Sequence, residues 1–171
     1  LGAAACITAL TLSGLPTRRF AFEAFLPSDK KERACILQEL KNETRTIILY
    51  EAPHRLVKTL EELYAELGDR KISLCRELTK KHETVFRDTL SQAIAWYKEN
   101  PPKGECVMVL AGRPREELVL EERQKWENMS LEEHLAIYEK EGMSRKDAMK
   151  QVAKDRGIRK RDVYQALLNQ E

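Results

Sequence analysis

The sequence predicts an α/β domain with a largely parallel or mixed sheet flanked by helices, followed by a small all-α module that resembles a helix-turn-helix. Three observations carry this reading. Buried-strand runs alternate with apolar residues at helical spacing over residues 1–112. The texture turns charged and loses its period over residues 113–128, which are expected to be a linker. Beyond it, at 129–171, come three short segments with helix start and stop signals.

The elements follow in order. Residues 3–13 form an apolar, Ala-rich helix, stopped by Gly14 and Pro16. Residues 20–25 read as a strand with Phe20 and Phe22 on one face. Asp29 and Glu32 make a capping box that opens a helix to about Lys41. The run RTIILY at 45–50 has the look of a fully buried strand. Pro53 suits the first turn of the next helix, whose Leu56, Val57, Leu60, Leu63 and Leu67 share one face and which Gly68 ends. Residues 71–76 form another strand and 84–87 a shorter one. Thr89 with Gln92 is expected to cap a helix ending near Pro101, and ECVMVLA at 105–111 is the last buried strand. In the module, Ser130 with Glu133 and Ser144 with Asp147 open two helices that Gly142 and Gly157 close, and a third runs over residues 160–168.

Composition narrows the class. The 171 residues are 42% hydrophobic and 34% charged, enough apolar material for a core and too much for disorder. No run of about 18 apolar residues exists, so no transmembrane helix is expected. The opening stretch lacks the basic region of a signal peptide, and a chain that begins at Leu1 is expected to be a piece of something longer. Cys6, Cys35, Cys75 and Cys106 stand far apart without ligand spacing. They read as small buried hydrophobes in a reducing compartment, which implies the cytoplasm, and no metal site is expected. Net charge is +2 but uneven: residues 116–141 carry nine acidic and three basic residues, residues 143–171 eight basic and four acidic. Such asymmetry hints at a polyanion partner.

No phosphate loop, metalloprotease helix or nucleophile elbow is present. His54, His82 and His134 have no metal partners at ligand spacing, and His134, in a charged helix, is expected to be solvated. The informative places are strand ends, because ligands of open α/β sheets gather outside the carboxyl ends of strands. Two such ends are dense in polar groups: YEAPHR at 50–55, and RELTKKHE at 76–83. The bland reading is that Glu51 with Arg55, and Arg76 with Glu77, merely pair as surface ions. Loops this rich in ionisable groups after two buried strands nonetheless mark them as candidate functional loops.

Four blocks in order, SGLPTRRFAFEAFLP (13–27), RTIILYEAPHRLVKTLEEL (45–63), CRELTKKHE (75–83) and KGECVMVLAG (103–112), resemble the C-terminal half of the tetrapyrrole methylase superfamily, in the branch that methylates small-subunit ribosomal RNA. The trailing helices resemble that branch's C-terminal extension more weakly. The family commonly has Gly where Ala24 stands, Ser where Ala52 stands, Gly where Asp88 stands, and Pro before Gly2.

The resemblance implies a two-domain, metal-independent methyltransferase with S-adenosylmethionine held between the domains; the N-terminal domain, with its Gly-Thr-Pro strand and Asp-x-Gly-x-Pro loop, is absent from this chain. This half would supply cofactor contacts at Ala4, Ala5, Tyr50, Glu51, Ala52, Gly104 and Glu105, largely through backbone and shape. The implied reaction is methyl transfer to the ribose 2′-oxygen of a cytidine in 16S rRNA. Catalytic candidates, with roles left open, are Glu51, His54, Arg55, Arg76, Glu77, Lys80 and Glu83. Arg145, Lys146, Lys150, Lys154, Arg156, Arg159, Lys160 and Arg161 form a candidate rRNA-docking surface on the basic tail, against the plainer reading of a solvated helix face. The fragment is expected to be inactive alone. Its partners would be the small ribosomal subunit and the missing domain, with a homodimer an open option.

Two other functions compete. A tetrapyrrole-precursor methyltransferase is disfavoured because the porphyrin branch commonly shows a YMG-type sequence where Tyr50-Glu51-Ala52 stands and lacks the PHR that follows. A non-enzymatic nucleic-acid-binding module would have no need of the two polar strand-end loops.

Overall fold

In the computed structural model, which describes residues 4–168, the chain divides into two compact units, 1–114 and 115–171. The first is built on a five-stranded mixed sheet: β1 (Phe20–Phe25), β2 (Thr46–Glu51), β3 (Lys71–Arg76), β4 (Thr84–Thr89) and β5 (Cys106–Leu110). The spatial order is β1-β2-β5-β3-β4. Only β1 and β2 pair in parallel; the three other pairings are antiparallel, so the sheet is mixed rather than largely parallel. The reason is the last strand. β3 runs parallel to β2 but leaves a one-strand gap, and β5 fills it antiparallel to both.

Alternation along the strands assigns each face its helices. Ile47, Leu49, Ile72, Leu74, Met108 and Leu110 point to the side covered by α2 (Lys30–Lys41), α3 (Leu56–Leu67) and α4 (Leu90–Glu99). Ile48, Cys75, Val107 and Val109 point to the other side, where α1 (Ala5–Ser13) buries Ala9 and Leu10. The apolar stripe of α3 falls at Leu56, Leu60, Leu63 and Leu67 as its spacing predicts. Each such buried leucine is worth roughly 1.5–3 kcal/mol. Thr59 interrupts that stripe and is buried too.

The ends of the helices show local chemistry at work. Gly14 takes the left-handed conformation, φ 73°, that stops α1; the Ala3 expected within this helix lies outside the described residues. Asp29 caps α2 by accepting from the Lys31 and Glu32 amides at 3.0 Å. The expected Thr89–Gln92 capping box is replaced: Asp69, in the loop before β3, accepts from the Ser91 amide at 2.9 Å and its hydroxyl at 2.7 Å. A carboxylate from outside the helix outcompetes the local pair because it satisfies two donors at once. Of the cysteines, Cys75 and Cys106 are buried as expected, whereas Cys35 is exposed on α2. Burial pushes the Cys106 thiol up to about 12.

The second unit is all helical. The segment expected as a linker contains α5 (Arg115–Glu127), a helix whose apolar residues gather on no single face; its Glu, Arg, Leu, Lys and Gln content favours helix without amphipathic period. α6 (Leu131–Lys140), α7 (Arg145–Arg156) and α8 (Lys160–Leu168) follow, with Ser130 and Glu133 completing a capping box and Gly157 left-handed at φ 64°. Leu135, Ala148, Val152 and Val163 form the core.

His134 is the correction here. It is fully buried, not solvated, with its ring stacked on Trp126 at 3.8 Å. Arg156 donates to its Nδ1 at 3.2 Å, and Asp155 stands 3.4 Å from its Nε2. Burial first, then the Arg156 charge, pushes its pKa below the ordinary histidine value. A charged sequence context says which residues neighbour a helix position, not which face it occupies.

β1 carries one irregularity. Its register with β2 shifts between Phe22 and Ala24, and Ala24 stands at φ 53°. A side-chain-bearing residue there costs roughly 1–2 kcal/mol, and glycine, the residue common at this position in the resembling family, relieves it. Ala24→Gly is expected to raise stability by about 0.5–1 kcal/mol and Tm by about 2 °C in thermal unfolding. A lowered Tm would mean that the Ala24 methyl contributes more by packing than its backbone costs.

Candidate functional site

The sheet order fixes where the two polar loops meet. Glu51, the last residue of β2, and Arg76, the last of β3, both pair with Cys106, the first residue of β5. The two loops therefore leave the same end of the sheet, one strand apart on either side of β5, a separation of about 10 Å. The turn that feeds β5, Lys103-Gly104-Glu105, lies between them. Arg76 ties itself to that turn, donating from Nη1 to the Lys103 carbonyl at 3.2 Å and from Nε to Thr84 Oγ1 at 3.0 Å. Glu77 closes over Gly104, where an added Cβ would stand 2.0 Å from Glu77 Oε1. A Cβ at position 104 would require the Glu77 side chain to move aside, and the φ of 79° there itself favours glycine.

Among the candidate catalytic residues, the structure separates those facing outward from those held inside. Glu51 is only 2% exposed. Its Oε1 accepts from the Ala52 amide at 2.8 Å and its Oε2 from the Thr59 hydroxyl at 2.6 Å. Arg33 donates to Thr59 Oγ1 at 2.7 Å and to Glu62 at 2.6 Å, and lies 4.0 Å from Glu51. Arg55 approaches Glu51 at 3.7 Å and donates weakly to Ser28 Oγ at 3.4 Å. Glu51 thus serves as the buried counter-charge that fixes the root of its loop. Pro53–Arg55 form a single 3-10 turn with His54 exposed on it and Arg55 half-buried.

In the second loop, Glu77 and Thr79 both take positive φ, 48° and 64°. Such residues cost of order 1–3 kcal/mol each and persist where surrounding contacts hold them. Here the holders are Lys80, whose ammonium lies 3.2 Å from Glu77 Oε1, and Glu83, which accepts from the Thr79 amide at 2.7 Å. Glu77 and Lys80 line a recess of about 70 Å³ with Ala5, Leu78 and Glu105, on the α1 side of the sheet. Arg55 instead faces a groove of about 350 Å³ between α2 and α3, whose rim also carries Lys30 and Lys58. Arg76 faces a third groove beside α4.

The segments expected to touch S-adenosylmethionine fall around the recess unevenly. Ala5 and Glu105 line it; Ala4 is exposed beside it, at the start of α1; Gly104 is covered by Glu77. Tyr50 lies on the same face of the sheet, edge-on to Phe22 and Phe25 at 5.2 and 5.6 Å, and Ala52 is half-buried. The Glu51 carboxylate points to the opposite face. Ligand pockets usually measure about 300–1,000 Å³. The recess therefore fits one side of such a ligand and not the whole of it. No cluster of His, Cys, Asp and Glu among the described residues could hold a metal ion, and no helix among them is long and apolar enough to cross a membrane.

Within the second unit, the basic residues are not equivalent. Arg156 is spent internally, donating to the Met129 and Ser130 carbonyls as well as to His134. Arg145, Lys150 and Arg159 face Glu139, Asp147 and Asp162 at 3.6, 3.0 and 3.6 Å. Lys146, Lys154 and Arg161 are exposed, and Lys160 is half-buried.

The supporting pair Arg33 and Thr59 escaped the sequence reading. A signal existed for each: Thr59 breaks an apolar stripe, and Arg33 shares a buried face with Leu37 and Leu40. A polar residue on an apolar face requires a buried partner.

Comparison with known proteins adds an independent observation. The profile of the tetrapyrrole (corrin/porphyrin) methylases matches residues 2–94. The protein named ribosomal RNA small subunit methyltransferase I of Halalkalibacterium halodurans is 46% identical over 95% of this chain and 56% of its own length. That of Bacillus subtilis is 46% identical over 96% of this chain and 56% of its own. The chain spans about half the length of these relatives. Among solved structures, cobalt precorrin-4 methyltransferase matches 61% of this chain and 47% of its own, with a TM-score of 0.48 and 15% identity.

The network around Glu51 generates a test. Glu51→Gln removes the charge facing Arg33 and Arg55 and mismatches the Thr59 hydroxyl, and is expected to cost about 1–3 kcal/mol in urea unfolding. Unchanged stability, together with lost methyl transfer in the full-length protein, would instead return Glu51 to the reacting atoms.

Proposed function

Since this chain belongs to the tetrapyrrole methylase family, we propose that it is the C-terminal part of an S-adenosylmethionine-dependent methyltransferase acting on small-subunit ribosomal RNA, at the ribose 2′-oxygen of a cytidine. The observation that carries this reading is the convergence of the 51–55 and 76–83 loops on Cys106 at one end of the sheet. Support for the RNA substrate comes from relatives at 46% identity bearing that name and from the charge of the converging loops.

S-adenosylmethionine, when bound, supplies an electrophilic methyl group. Ala4, Ala5 and Glu105 would hold one side of it at the recess, and a second domain would complete the enclosure. The work of this chain is then positioning and proton handling. Arg76 has its guanidinium plane fixed by Thr84 and the Lys103 carbonyl, and the rest of its fork is open to a phosphate. Arg55, with Lys30 and Lys58 on the rim of its groove, offers a second phosphate contact on the α3 side. Glu77 is the carboxylate best placed to accept the hydroxyl proton. It faces the recess, whereas Glu51 is consumed by its internal bonds and Glu83 by the Thr79 amide. Lys80 orients Glu77, and His54 stands exposed at the edge of the first loop. Lys146, Lys154 and Arg161 of the helical unit would add sequence-independent attraction to rRNA. These residues by themselves would be inactive, because the other side of the enclosure would come from a second domain.

Arg76→Lys keeps the charge but loses the planar fork, and Glu77→Gln keeps the shape but cannot take a proton. In the full-length protein each is expected to lower methyl transfer to small ribosomal subunits at least about tenfold, or roughly 1.4 kcal/mol of transition-state stabilisation. Unfolding midpoints should stay close to wild type. Wild-type turnover in both variants would remove these two residues from the reaction.

A further inference from the structure

A groove of about 580 Å³ opens between β4 and α4 on the side of the sheet away from α1, and neither of the polar loops accounts for it. Its floor is aromatic. Trp96 is 52% exposed, and its ring lies within 27° of parallel to that of Phe86, 6.4 Å away. Phe86 is in turn held edge-on by Tyr97 at 5.7 Å, and Tyr97 belongs to the main core. The platform is therefore rigid, built on a strand and a helix, while its outermost ring faces solvent. The exposed indole face is available to a flat ligand.

The rim has the complementary chemistry. Arg76 stands at the end nearer the candidate site, its guanidinium fixed by Thr84 and the Lys103 carbonyl. Asn100 also lines the groove and donates its amide nitrogen to the Trp96 carbonyl at 3.0 Å, so its side-chain oxygen is the acceptor it can offer a ligand. Glu99 is the one acidic residue among the described residues lining it. An aromatic face, a fixed cation beside it and a few hydrogen-bonding groups at the edge suit a nucleotide: base on the ring, phosphate on the guanidinium. The groove lies on the other face of the sheet from the recess, and the two meet at the sheet end, where Arg76 lines the groove and its neighbour Glu77 lines the recess.

We propose that this groove is a stacking subsite for an unpaired nucleobase of the RNA substrate, adjacent to the nucleotide that is methylated. The assignment deepens the RNA reading above and rests on it for the identity of the nucleic acid. Stacking on Trp96 reads a flat face rather than a particular base, so the subsite contributes affinity and register more than sequence preference. Exposed β4 edges and exposed tryptophans also serve protein contacts, and the experiment separates the two.

In the full-length protein, Trp96→Ala and Trp96→Leu, the latter keeping apolar cover without a ring, should raise the KM for small ribosomal subunits about tenfold, the equivalent of about 1.4 kcal/mol. The KM for S-adenosylmethionine should not move, and Trp96→Phe should recover most of the loss. A second readout does not depend on turnover. Wild-type protein should bind a single-stranded oligoadenylate 8-mer more tightly than an abasic 8-mer with the same backbone, and the leucine variant should lose that preference. Should wild type transfer no methyl group to subunits yet show the base preference through Trp96, the reaction reading fails and the subsite stands. Unchanged KM and unchanged base preference in both variants overturn the proposal. So does a change of oligomeric state with RNA affinity intact, which would make the groove a contact between copies.

Discussion

The arrangement depends on one strand. β5 runs antiparallel between β2 and β3, which are parallel to each other, and its first residue, Cys106, is the register partner of both Glu51 and Arg76. Without β5 the two parallel strands would have an unfilled gap, and their terminal loops would have no common anchor. With it, the ends of β2 and β3 and the start of β5 form one rim. β5 is buried along its whole length and sits centrally, so the rim inherits the rigidity of the core. Antiparallel insertion also brings the Lys103–Glu105 turn to that rim, where Arg76 and Glu77 engage it.

Rigidity at the rim has a second source, the buried chain Arg33–Thr59–Glu51. Thr59 both accepts from Arg33 and donates to Glu51, linking α2, α3 and the end of β2 through a single hydroxyl. A buried carboxylate of this kind is tolerable only when each oxygen has a donor, and here each does. The chain divides the labour between two glutamates that look alike in sequence. Glu51 stabilises the root of its loop from inside, while Glu77, held at positive φ over Gly104, lines the recess on the α1 side. The strain of the second loop at Glu77 and Thr79 is carried by the Glu77–Lys80 ion pair and by the Glu83 cap rather than by burial.

Much of this was legible in the sequence, and for identifiable reasons. β2, β3 and β5 announced themselves by β-branched or aliphatic runs and β1 by its alternating Phe20 and Phe22, and the α3 stripe and the glycine stops of α1, α3 and α7 followed from spacing. The two loops stood out because ionisable residues cluster after buried strands. What could not be read was long-range. Nothing in residues 106–110 says that they insert between β2 and β3, so the convergence on Cys106 required the fold. The Asp69 cap of α4, 22 residues from Ser91, replaced a local pair that looked sufficient. His134 and Thr59 show the same limit: a polar residue's neighbours in sequence do not reveal whether its face turns inward. Arg156 looked like part of a basic surface for the same reason, although it closes the second unit around His134.

On the proposed function, one end of the sheet, organised by β5, is the RNA-facing surface of this chain. Hydrogen–deuterium exchange of the full-length protein, with and without small ribosomal subunits, tests it most directly. Slowed exchange is expected in the 51–55 and 76–83 loops and in the 103–105 turn. The opposite end of the sheet, near Gly14 and Gly112, should be unaffected. Protection confined to that opposite end, with both loops exchanging as they do in the free protein, would contradict it.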